Sequence, residues 1–113
     1  MKLFFSGDNQ RRNLATEVVE WYAKEHQLPD IEIEVNCTDL SEDYAVGFCS
    51  HNEDNEFLIE LHNDLTKRDF IVTLLHELVH VSQDLCGLTD TEERESAAEQ
   101  QEVILFRQFQ NTY

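Results

Sequence analysis

Phe70 to Val81 is an apolar run that carries two histidines four residues apart, His76 and His80, with Glu77 directly after the first. No charged residue lies between Ile71 and Leu75, and Leu74, Leu75, Leu78, Val79 and Val81 suit a helix packed into a core. On an α-helix, positions i and i+4 stand one above the other, so both imidazoles point the same way. Two neutral imidazoles so placed can supply two of the three protein ligands of an open tetrahedral Zn²⁺ site. Glu77 then sits where a carboxylate can reach a metal-bound water. The competing structural reading makes His76 and His80 hydrogen-bonded core residues with Glu77 on a solvated side. Burying two stacked imidazoles and a carboxylate in an apolar helix is costly unless they have partners.

The rest of the chain limits what can surround that helix. With 113 residues, of which 41% are hydrophobic, it suits a single domain, residues 1–113, with one core. Twenty-four acidic residues against eight basic ones give a formal charge of -16. Such a surface repels phosphate backbones, so no nucleic-acid partner is expected, whereas a basic protein partner fits. Met1 to Phe5 starts like a secretory leader, but the apolar run stops at Ser6-Gly7-Asp8. No stretch approaches membrane-spanning length, so no membrane association is expected. The three cysteines, Cys37, Cys49 and Cys86, are odd in number and lack a close pair. Free thiols and a cytoplasmic location are the corresponding expectation.

Patterning gives the order strand, helix, three strands, two helices. A short strand is expected over Lys2 to Phe5, then a helix from about Gln10 to Gln27 capped by Asp8 or Asn9 and ended by Leu28-Pro29-Asp30. Ile31 to Val35 alternates as a half-buried strand should, and Tyr44 to Cys49 and Glu56 to His62 are further strand candidates. The polar cluster His51 to Asn55 reads as the hairpin turn between the last two. Thr66 is positioned to cap the motif helix, with Asp69 three residues on, and Gly87 to end it. Thr89, Asp90 or Thr91 can cap the last helix, which runs to about Phe109. The sum is an α+β domain with a small twisted sheet of three to four strands and three helices.

This order, with the His-Glu-x-x-His helix following the sheet, resembles the minimal core of the zincin metallopeptidases. In that family an edge strand borders the active-site cleft, and Glu56 to His62 is the expected edge strand here. The resemblance implies a zinc-dependent peptidase acting on a peptide or protein substrate through a metal-activated water, with Glu77 as general base. The third ligand is open among Glu92, Glu93, Glu95, Glu99 and Glu102. A third histidine six residues after His80, as in the long form of the motif, is excluded because Cys86 stands there. The run Glu95-Ser96-Ala97-Ala98-Glu99 resembles the gluzincin arrangement, which implies Glu95 as ligand and Glu99 orienting a ligand imidazole. Gluzincins generally carry Asp in that second position, so Glu99 departs from the pattern. Glu92 to Glu102 also reads as a plain solvated acidic face.

The sequence leaves two other functions open. One is a zincin-fold protein that binds zinc or a partner without hydrolysis, which the small size favours. The other is an amidohydrolase similar to peptide deformylases, whose third ligand is an upstream cysteine; Cys37 and Cys49 both lie upstream, but the glycine-rich deformylase motif is missing. His26, His51 and His62 are expected at the surface, with His62 the one that could line a cleft. Nothing selects among Tyr22, Tyr44 and Tyr113 as a hydrogen-bond donor to a developing oxyanion.

Overall fold

Thr66 starts the motif helix. Its hydroxyl accepts from the Asp69 amide at 3.1 Å, which satisfies one of the donors that a helix start leaves without a partner. The helix runs over Lys67–Leu85 and ends at Gly87, whose φ of 77° allows the Leu88 amide to reach back to the Gln83 carbonyl at 3.0 Å. The computed structural model describes residues 1–8, 10–53 and 55–112. Its elements are β1 Lys2–Gly7, α1 Arg12–Glu25, β2 Glu32–Thr38, β3 Gly47–Glu53, β4 Glu56–His62, α2 Lys67–Leu85 and α3 Thr91–Thr112.

The four strands form one mixed sheet in the order β1-β2-β4-β3. The first three are parallel, and β3 closes the sheet as an antiparallel edge. Glu56–His62 is therefore an interior strand, paired on both sides, and the expectation that it forms the edge is corrected in favour of β3. The reason lies in the chain path: β4 slots in parallel beside β2, and the hairpin then leaves β3 outside. Polar residues are tolerated at such an edge, so His51 and Glu53, expected in a turn, continue the strand.

The start of β3 is also later than expected. Ser41–Asp43 form a single 3₁₀ turn, and Tyr44 follows in the left-handed region at φ 52°, fully exposed, so extended structure begins only at Gly47. In α1 the last turn closes through Gln27 at φ 49°, with the Leu28 amide bonded to the Ala23 carbonyl, before Pro29 is reached. Asp8 accepts from the Gln10 amide just ahead of α1 and makes no bond to the helix amides. Asn9, Asp54 and Tyr113, named above as cap, turn and hydroxyl candidates, lie outside the described residues. Asp90 is the residue that caps α3, accepting from the Glu93 amide at 2.9 Å.

One side of the sheet carries the core. Ile33 and Val35 of β2 and Phe57, Ile59 and Leu61 of β4 are buried against Val18, Val19 and Tyr22 of α1 and Leu74, Leu75 and Leu78 of α2. Leu105, Phe106 and Phe109 close the cluster from α3, with Phe109 edge-on to Trp21 at 5.6 Å. The helix carrying the motif is thus held by the sheet, α1 and α3 together. Among the described residues, no helix is long and apolar enough to cross a membrane.

Candidate metal centre

The i, i+4 spacing of His76 and His80 puts their rings on the flank of α2 that faces α3, edge to face with centroids 4.9 Å apart. The turn at Gly87 sends α3 back along α2, and Glu95, in its second turn, meets both rings. The Nε2 atom of His80 lies 2.8 Å from Glu95 Oε1, and that of His76 lies 3.3 Å from Oε2. His76, His80 and Glu95 each offer one ligand atom to a group whose members all lie within 4.8 Å of one another. In a tetrahedral zinc site with bonds of about 2.1 Å, neighbouring ligand atoms stand about 3.4 Å apart. Here Glu95 lies 2.8 and 3.3 Å from the two rings, and no two of the ligand atoms are more than 4.8 Å apart.

The groups behind the rings set which nitrogen faces the centre. His76 Nδ1 is 2.8 Å from Glu102 Oε2, a carboxylate that can only accept, so Nδ1 carries a proton and Nε2, which faces Glu95, is the nitrogen left to bind an ion once its own proton is lost. His80 Nδ1 is 2.7 Å from Gln83 Oε1, and Gln83 Nε2 donates to the Arg94 carbonyl at 2.9 Å. That bond orients the amide, so His80 Nδ1 is also the donor. Both Nε2 atoms and the Glu95 carboxylate thus converge on one point, where either Nε2 protons or a divalent cation in their place satisfies the carboxylate. The donor set fits zinc.

Gln83 does more than fix a tautomer. It joins His80 on α2 to the backbone of Arg94, the residue before Glu95, so two candidate ligands on different helices share one support. Arg94 braces the same corner, with Nη1 bonded to the Asp84 carboxylate and to the Leu88 carbonyl at 2.9 Å. Glu95 itself is 52% exposed, which leaves the centre open to solvent on that side.

Glu102 takes the role expected of Glu99. Residues seven apart on a helix differ by about 20° in direction and residues four apart by about 40°, so Glu102 shares the face of Glu95 more closely than Glu99 does. Glu99 is exposed. The Glu102 position was visible as one of five acidic candidates, but its place behind His76 depends on how the two helices align.

Glu77 is only 6% exposed and lies against the start of β3. A Cβ on Gly47 would come within 3.0 Å of Glu77 Oε2 and 2.8 Å of Thr73 Cγ2, so glycine is what lets the edge strand approach this carboxylate. Burial pushes the Glu77 carboxyl up to about 7; the His76 imidazole pulls it down, and the negative charges of Glu95 and Glu102 push it further up. In the metal-free protein this has a sign that can be checked. The unfolded chain ionises Glu77 from pH 4.5 upward, whereas the folded chain holds its proton to about pH 7. The stability is fully present below the lower value and lost as pH rises through the upper one, a loss of roughly 3 kcal/mol. In chelator-treated protein, Glu77→Gln is expected to flatten the fall in urea midpoint between about pH 5 and pH 7.5.

The other candidates lie elsewhere. Among the described residues neither Cys37 nor Cys49 belongs to the ligand group, so the cysteine ligand of a deformylase-like site is not at this centre. Burial pushes the Cys49 thiol up to about 12, helped by the Glu77 and Asp84 charges, and raises that of Cys37. All three cysteines are free. His62 Nδ1 accepts from the Leu40 amide at 3.0 Å in a depression shared with Asp8, Arg11 and Cys37. His26 stacks on Tyr22 and His51 on Phe57. The Tyr22 hydroxyl is engaged with Ser82 at 2.7 Å. Comparison of the chain with protein-family models, with curated proteins and with solved structures finds no match.

Proposed function

We propose that this chain is a small zinc-dependent peptidase. The observation that carries the reading is the convergence of His76 Nε2, His80 Nε2 and the Glu95 carboxylate, with both Nδ1 atoms held from behind, one residue away from a buried carboxylate. His76, His80 and Glu95 would hold the ion, and zinc bound there supplies Lewis acidity, which polarises a carbonyl and makes water acidic near neutral pH.

The remaining work falls to the chain's own groups. Glu77 accepts a proton from the attacking water at its carboxylate and delivers it to the leaving amine nitrogen. Its low exposure keeps bulk water from competing, and Gly47 places no side chain of its own against the Glu77 oxygen. The antiparallel edge of β3 offers its outer main-chain groups to an extended substrate, which would add as a further strand beside Glu77. This replaces β4 as the strand expected to meet substrate.

The test is hydrolysis of a mixed peptide library followed by mass spectrometry. Cleavage is expected with the purified chain, to disappear on dialysis against a chelator, and to return when about one equivalent of zinc is restored. A chain that binds zinc at this centre yet cleaves no member of the library would count against the peptidase reading.

A further inference from the structure

Among the described residues, the three helices pack on one face of the sheet and none covers the opposite face. Strands β1, β2 and β4 are mutually parallel, and parallel strands are ordinarily covered on both faces. The bare face also carries apolar side chains that a solvated face has no need of. Phe4 is 49% exposed and Phe48 40%, Leu58 is half-buried beside them, and Val46 is exposed at the entry to β3.

Between these lie carboxylates. Glu32 and Glu56 are direct neighbours across β2 and β4, and Glu34 stands beside Leu58 in the next outward row. Glu60 pairs with Phe48 across β4 and β3. Like charges facing each other on adjacent strands are unfavourable, and on this face the one lysine or arginine among the described residues is Lys2, 3.8 Å from Glu32. Phe4, Leu58, Glu32, Glu34 and Glu56 line a depression of about 340 Å³. A lysine or arginine can lay its aliphatic stem on Phe4 and Leu58 there and set its charge among the three carboxylates.

We propose that this face docks a cationic, amphipathic helical segment of another protein, completing a second helical layer. A helix fits a sheet face, whereas an added strand would need an edge. A second copy of the chain would bring the same negative face to it, and phosphate backbones and anionic lipid surfaces carry the wrong sign. Phe4, Leu58 and Phe48, set among the carboxylates, call for an apolar stripe as well as positive charge.

The experiment uses the full chain and two synthetic leucine–lysine peptides of about 18 residues, long enough to fold as helices on binding. One has its leucines on a single helical face, and the other has the same composition in an order with no such face. Titration calorimetry is expected to give at least about tenfold tighter binding for the first. Its amide shift changes in the isotope-labelled chain should map to β1, β2 and β4. Phe4→Thr with Leu58→Thr, and separately Glu32→Gln with Glu34→Gln and Glu56→Gln, should each weaken it about tenfold, with zinc content unaltered. Equal binding of both peptides, shift changes confined to α3, or concentration-dependent self-association through these strands would overturn the proposal.

Discussion

Glu77→Gln is expected to retain zinc and to lose hydrolysis. A positioned general base contributes roughly 10²–10⁴-fold, so kcat/KM should fall by that factor with the bound metal unchanged. Glutamine keeps nearly the same volume in the buried space between α2 and Gly47, so the helix should not rearrange. The proposed ligands His76, His80 and Glu95 are untouched, which separates loss of proton transfer from loss of metal. Zinc content by mass spectrometry and peptide cleavage should therefore part company in this variant. If activity survives in full, Glu77 is not the base.

Glu95→Ala should do the reverse and remove the metal first. Zinc sites with four protein ligands are worth roughly 10–16 kcal/mol, or about 3 kcal/mol per ligand, so losing one should weaken affinity about a hundredfold. Glu95 is half exposed on α3 and its side chain is not part of the core, so the metal-free fold should be unaffected. Competition with a chromophoric chelator gives the affinity, and thermal unfolding without metal gives the control. The supporting residues should matter less. Glu102→Gln and Gln83→Leu act through an imidazole and not on the ion itself, where changes of about 10–100-fold are usual. A Glu95→Ala chain that binds zinc as tightly as the parent would remove this carboxylate from the ligand set.

Much of this site is local and was therefore legible. The i, i+4 imidazoles, the Thr66 cap and the Gly87 stop depend on short-range helix geometry, and each stands where patterning puts it. The element order and the α+β class follow from hydrophobic periodicity in the same way. What patterning could not give was anything decided between elements. β4 looks like an edge strand from its own residues, and only the sheet order shows β3 outside it. Glu102 supports His76 because of how far α3 runs back along α2, which no spacing within α3 encodes. Gln83, in the polar run Ser82-Gln83-Asp84 just past the apolar segment, gave no signal of its own, and its role appears only through its contacts with His80 and Arg94. Gly47 likewise gains its meaning from Glu77, which packs closely against it.

X-ray absorption at the zinc edge, on protein purified without chelator, bears most directly on the metal centre. About one zinc per chain is predicted, with a shell of light nitrogen and oxygen scatterers near 2.0–2.1 Å from two imidazoles and a carboxylate. A chain that holds no zinc, or a shell containing sulfur at about 2.3 Å, would contradict a centre built on His76, His80 and Glu95.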